Sequence, residues 1–292
     1  MKKVLTLIVL ALAGFFTSAQ SENQKSLLWE ISGPEEKVSY LFGTYHLLGS
    51  DYIKEKPSLN SIYQKSQTVV VETIIDSALL PQLSMLSIMQ ESIEDMADSA
   101  DYALIKKTLE PIIGAPMALL NHMKPMALAA VISMQLAQEA TPDTFLFSGL
   151  PIDQFFASDS KARGKKIVAL ETMMQQMEIL MNSESVEDQL EALIYIIKEE
   201  EETRAMTERT ILAYMQQDIP AMLDISSDYE EDMGDMTALL DDRNKDWVPK
   251  LKPLLAEGSA FIAVGALHLP GEFGLIELLR QEGYSVRAVE IK

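Results

Sequence analysis

Residues 68–72 read TVVVE, a β-branched run with no polar side chain between its two ends. A strand made this way is apolar on both pleat faces, so both faces must be covered. Strands covered on both sides belong to sheets flanked by helices. The runs 165–170 (KKIVAL) and 259–264 (SAFIAV) predict further strands, ending at Glu171 and Gly265. Leu27–Ser32 and Lys37–Thr44 enclose Gly33-Pro34-Glu35-Glu36 and predict a β-hairpin, while Tyr284–Ile291 predicts the last strand. Helical patterns at 57–64, 153–163 and 272–282 alternate with these strands. The expected fold is therefore α/β: a central sheet built from N- and C-terminal strands, with a large helical middle region packed over it.

That middle is rich in Met, Leu and Ala. Residues 78–145 form a helical insertion, broken near Pro111, Pro116 and Pro125, and long helices occupy 172–223. Another helix is expected before Arg243-Asn244, and an amphipathic stretch over Trp247–Leu255. Ile112–Ala137 is apolar, but Asn121, His122, Lys124 and two prolines interrupt it, which suits a core helix better than a membrane span. The 17 methionines suit adaptable packing. Met85, Met89 and Met96 recur at helical spacing and are read as packing rather than as a copper site. The charge run Lys198–Glu202 is read as a solvated face, not a calcium loop.

Residues 1–19 look like a targeting signal: Lys2 and Lys3, an apolar run to Phe16, then Thr17-Ser18-Ala19, with cleavage expected after Ala19. The remainder, 20–292, is expected to be a single domain, exported to a periplasm or secreted, with no stable membrane span. The formal net charge of −20 makes nucleic acid and acidic lipid poor partners. A peptide or small molecule is the expected substrate. The absence of Cys removes disulfides, thiolate zinc sites and a Cys nucleophile from consideration. No GxSxG elbow, HExxH helix, P-loop or GxGxxG turn occurs.

Only three His are present, and two share one pattern. Gly43-Thr44-Tyr45-His46 follows one predicted strand and Gly265-Ala266-Leu267-His268 another. In an open α/β sheet, ligands collect beyond the carboxyl ends of the strands. Gly43 and Gly265 let the chain turn there or let another group approach closely. Two such turns on neighbouring strands bring His46 and His268 together, and Glu72 ends a third strand. Two imidazoles and a carboxylate make a candidate divalent-cation site, and the same residues also permit a metal-free route. In that route Glu72 or Glu171 orients a His general base, and Arg243 stabilises an oxyanion or pairs with a carboxylate. Asp153 and Glu171 are candidate supporting residues. The simpler alternatives are a helix cap for Asp153, a helix-start position for Glu171, a solvent-facing Glu72 and a surface ion pair for Arg243. His122 has no Gly partner and is read as structural.

At these residues the sequence resembles the TraB/PrgY/GumN family, whose animal relatives are the Tiki membrane proteases. The resemblance spans about residues 27–290. It rests on LFGTYH, on VVVE, on the GLPIDQFF and GKKIVALET segments, on DDRNKDW, and on AVGALHLPGEFGLIELLRQEGYSV. A wider likeness to erythromycin esterase and ChaN-type proteins implies an α/β core with both GxxH turns at one site. The Tiki relatives imply a metal-dependent peptidase (zinc, manganese or cobalt), with His46, Glu72 and His268 as catalytic and metal residues and Arg243 in support. The chain shows no C-terminal anchor and so resembles a soluble relative. Three functions are expected from these readings: a metal-dependent, peptidase-like hydrolase; a non-catalytic binding protein; and a metal-free, esterase-like hydrolase with a His base.

Overall fold

A computed structural model describes residues 25–33, 37–141, 149–228 and 236–292. The expected signal segment and residues 34–36 of the expected hairpin turn lie outside these. The chain opens with β1 (Leu28–Ser32) and β2 (Val38–Thr44), then α1 (Asp51–Glu55), α2 (Pro57–Lys65) and β3 (Thr68–Val71). Helices α3 (Leu80–Leu86), α4 (Ile93–Met96), α5 (Ser99–Ile113), α6 (Met117–Leu120) and α7 (Pro125–Ala140) follow. After α8 (Ile152–Ala162) and β4 (Lys166–Ala169) come α9 (Met173–Asn182), α10 (Val186–Lys198), α11 (Glu200–Met215) and α12 (Ile219–Asp228). The last elements are α13 (Asp241–Glu257), β5 (Ala260–Gly265), α14 (Leu275–Gln281) and β6 (Ser285–Val289).

The six strands form one mixed sheet in the order β4-β3-β5-β2-β1-β6. The strands β4, β3, β5 and β2 are mutually parallel, and β1 runs antiparallel to both β2 and β6. All four residues of β3 and five of six in β5 are buried, so both faces of the sheet centre are covered, as the apolar runs require. Phe42 and Phe261 pack against Phe156 of α8 and Tyr63 of α2, with ring centroids 5.1–6.1 Å apart. Residues of α13 and α14, among them Trp247, Leu251, Leu275 and Leu279, complete the same core.

A second core lies away from the sheet. Ile93, Ile105, Leu109, Leu128 and Ile132 of the insertion pack with Leu190, Leu193 and Ile196 of α10. The apolar segment 112–137 is thus divided between helices of this core, and no described helix is long and apolar enough to cross a membrane. Residues 198–202 are all exposed, where α10 gives way to α11.

One expectation about proline fails. Pro111 lies inside α5, with too little helix beyond it for the lost N–H bond to end the element there; the break falls at Gly114-Ala115-Pro116. The helix that carries Arg243 starts at Asp241 and runs through Pro249 and Pro253 as one long α13, so Arg243 stands in its first turn; the expected helix before Arg243-Asn244 falls largely on 229–235, outside the described residues. The continuous α13 puts Arg243 and Trp247 one turn apart on a single face.

Candidate functional site

Register fixes the site. Thr44 pairs with Gly265, and Val71 pairs with both Ala263 and Ala169. The carboxyl ends of four adjacent parallel strands therefore stand side by side. They deliver, in order across the sheet, Glu171 after β4, Glu72 after β3, His268 after β5 and His46 after β2. Gly43 and Gly265 keep ordinary negative backbone φ, so neither is there for a left-handed turn. Their contribution is clearance. A Cβ at Gly43 would stand 3.0 Å from Ala266 Cα, and one at Gly265 would stand 3.3 Å from Glu72 Oε1.

Arg243 ties the centre together. Its Nε donates to Glu171 Oε2 at 3.2 Å, and its Nη2 donates to Glu171 Oε1 at 2.6 Å and to Glu72 Oε2 at 2.5 Å. Its Nη1 donates to the Leu239 carbonyl at 2.9 Å and to His268 Nε2 at 3.1 Å. A guanidinium has five N–H groups, and all five are engaged. The guanidinium also lies 4.6 Å from the Trp247 ring, whose Nε1 donates to Glu171 Oε2 at 3.3 Å. Arg243 thus pairs with two carboxylates and has no donor left over for an oxyanion. It is buried, which removes the surface ion-pair alternative.

The same bonds settle the state of His268. A guanidinium only donates, so His268 Nε2 accepts and the ring proton is on Nδ1. That proton goes to Asn244 Oδ1 at 2.8 Å. The Asn244 amide is itself oriented by its Nδ2, which donates to the carbonyls of His268 (3.2 Å) and Phe273 (2.9 Å). Burial drives the His268 pKa down to about 3, with Arg243 and His46 pushing the same way and Glu72 opposing. His268 is therefore a neutral imidazole.

His46 differs. Its Nδ1 meets Asp153 Oδ2 at 2.8 Å, and the other oxygen of Asp153 accepts from Thr44 Oγ1 at 2.9 Å. The hydrogen bond to Asp153 raises the His46 pKa to about 9; partial desolvation by the surrounding site and Arg243 act against it, while the charges of Asp153 and Glu72 act with it. Its side chain is 69% exposed, at the mouth of the site, against 4% for His268. Asp153 is no helix cap, since the residue before α8 is Pro151 and both carboxylate oxygens serve Thr44 and His46. Glu171 does stand at a helix start, one residue before the Thr172 cap of α9, but its carboxylate is turned to Arg243.

Burial pushes the Glu72 carboxyl up, but the charges of Arg243 and His46 and the Gly265 N–H hold it below its usual range. Its Oε1 accepts from Gly265 N at 2.7 Å, and its Oε2 accepts from Gln176 Nε2 at 3.1 Å as well as from Arg243. Glu72 is buried rather than solvent-facing. Neither Glu72 nor Glu171 orients a histidine; Asp153 and Asn244 do that.

In donor type the set suits a divalent cation. Both imidazoles have Nδ1 fixed by an oxygen, the outer-shell arrangement of metal-binding histidines, and Glu72 Oε1 lies 4.0 Å from His268 Nε2. As the atoms stand, Arg243 takes the His268 Nε2 lone pair. Among the described residues no three His, Asp or Glu side chains converge closely enough to hold a cation. His122 lies in the insertion, where its Nδ1 is 3.2 Å from the Glu91 carbonyl.

His46, Glu72, Arg243 and His268 line a cavity of about 450 Å³ whose remaining wall is largely apolar. A sequence model of the TraB/PrgY/gumN family matches residues 27–288. The chain belongs to the TraB/PrgY/gumN family. A comparison with curated proteins gives no match. In this TraB/PrgY/gumN chain the sequence reading missed Asn244, Trp247 and Gln176 as site residues. The first two sit beside Arg243 in DDRNKDW, and a single helix through that segment, with Trp247 four residues after Arg243, was the available signal.

Proposed function

We propose that this protein is an exported hydrolase of amide or ester bonds, peptidase-like, working at the cavity between the two GxxH turns. The observation that carries the reading is the meeting, at the ends of adjacent parallel strands, of a charged histidine at the mouth and a neutral histidine in the interior, with Glu72 beside the latter. Export is supported by the basic start, apolar run and small residues of 1–19.

A divalent ion, when bound, would be held by His46, Glu72 and His268, and would polarise the scissile carbonyl and acidify a water. The chain's own residues do the rest. Asp153 and Asn244 hold the two rings. The Gly265 amide and Gln176 hold Glu72. Arg243 pairs with both buried carboxylates. One observation favours a metal-free variant: Arg243 already occupies His268 Nε2. In that variant His46, backed by Asp153, moves the proton as general acid in its charged form or as base once deprotonated.

The test is turnover of chromogenic peptide and ester substrates by the purified full chain, with and without chelation and metal add-back, beside His268→Ala. Turnover lost in His268→Ala supports the hydrolase, and chelator sensitivity selects the metal-dependent form. A folded His268→Ala protein with undiminished turnover overturns the assignment.

A further inference from the structure

The cavity is two-faced. Its polar end holds His46, Glu72, Arg243 and His268, and its other wall is built from Met173, Met177 and Leu180 of α9, Met222 of α12, and Leu239 and Leu267. The charged groups at the polar end are committed to one another: Arg243 has no spare N–H, both Glu72 oxygens accept hydrogen bonds, and His46 pairs with Asp153. An acidic or basic substituent entering the apolar end would lose its hydration and find no counter-charge there among the described residues. An apolar one would lose only its contact with water. Four methionines, Met236 among them, line the cavity beside leucine and isoleucine, and their unbranched thioethers can shift to follow chains of different length. The volume of about 450 Å³ is that of a small-ligand pocket, larger than the reacting groups need.

The geometry points to this wall as the specificity pocket of the hydrolase, taking a long, unbranched, uncharged apolar group next to the scissile acyl bond. The proposal rests on the hydrolase reading above, and it names the substrate class. The shared chemistry is a linear hydrocarbon or thioether chain, whether an amino-acid side chain or an acyl chain.

Two substrate series separate these sources. N-acetyl amino-acid p-nitroanilides run through glycine, alanine, norvaline and norleucine, with aspartate and lysine as charged members. p-Nitrophenyl esters run from acetate to octanoate. The expected result is a kcat/KM that climbs about fourfold per methylene in one series, as burial of each methylene implies, with the charged members at or below glycine. Met177→Gln keeps the length of the side chain but makes its end polar, and should cut the norleucine-to-glycine or octanoate-to-acetate ratio about tenfold, while Met177→Leu retains it. A flat length dependence, or a preference for aspartate or lysine, overturns the pocket.

If nothing is turned over, binding still decides the question. The full chain carrying ¹³C-methyl methionine is titrated with N-acetylnorleucine amide, octanamide and N-acetylaspartate amide. Shifts at Met173, Met177 and Met222 with either of the first two, and none with the third, uphold the pocket while the hydrolase reading falls. No shift with either apolar probe at millimolar concentration overturns it.

Discussion

The turns after β2 and β5 share a Gly-x-x-His sequence and adjacent parallel strands, yet their histidines are in opposite states. His268 is buried, neutral and held by Arg243 and Asn244; His46 is exposed, charged and held by Asp153. The local motif decides where each ring sits. The elements that arrive from elsewhere decide its proton, α13 in one case and the start of α8 in the other. A pair of like motifs can in this way supply two unlike chemical groups to one cavity.

The comparison breaks most severely at Arg243. Arg243→Met leaves Glu72 and Glu171 buried without their cation and frees His268 Nε2, so a loss of about 3–5 kcal/mol is expected, read as a lower urea midpoint. Arg243→Lys should recover little, because an ammonium cannot span two carboxylates, an imidazole and a carbonyl at once. Unfolding midpoints within a few tenths of a kcal/mol of wild type for both variants would mean the two carboxylates do not depend on this guanidinium.

Asn244→Leu should cost about 1–3 kcal/mol, since His268 Nδ1–H loses its buried acceptor. Asn244→Asp is the sharper variant: a carboxylate at the same place should raise the His268 pKa and make the two histidines more alike. NMR titration of His268 in that variant, metal-free, checks it; a pKa unmoved from wild type defeats the account of how this ring is kept neutral.

The sheet, its parallel centre and the nearness of the two turns were legible because they depend on short apolar runs and on the residues at their carboxyl ends. TVVVE and SAFIAV announce strands covered on both faces, and Glu72 and His268 lie at or just beyond their ends. The partners were not legible, because each is set by a distant helix. Asp153 reaches His46 because backbone bonds between Leu48–Ser50 and Leu150–Ile152 stitch two remote loops together. Asn244 reaches His268 because α13 already begins at Asp241, which puts Asn244 beside Arg243 in its first turn. The second core was hidden for a similar reason: α10 reads as a continuation of the second helical run but packs on the first.

A smaller effect is expected from pH acting on His268. Its folded pKa of about 3 lies below the ordinary 6.5, so the unfolded chain binds this proton first. The stabilising contribution is complete above about pH 6.5 and is lost as pH falls toward 3. In metal-free protein His268→Gln should therefore flatten the acid limb of the stability curve over that window. Parallel limbs for wild type and variant would show that other groups carry acid unfolding.

The smallest change in stability, and the cleanest reading of the contrast, belongs to Asp153→Asn. The pair is partly exposed, at 69% and 35% for the two side chains, so its loss should shift stability by no more than about 1 kcal/mol. Its sign is opposite to that of His268. The raised His46 pKa contributes stability that is fully present below about 6.5 and lost as pH rises through about 9. With an amide at 153 the imidazole keeps a hydrogen-bond partner but loses the negative charge, so its pKa should fall from about 9 toward 6.5. His46 would then titrate near neutrality while His268 stays neutral, and a general base would become available at lower pH. If His46 acts as that base, the acidic, rising limb of kcat/KM moves to lower pH with the NMR titration. If the limb stays fixed while the titration moves, His46 holds or orients the substrate and the proton is transferred elsewhere.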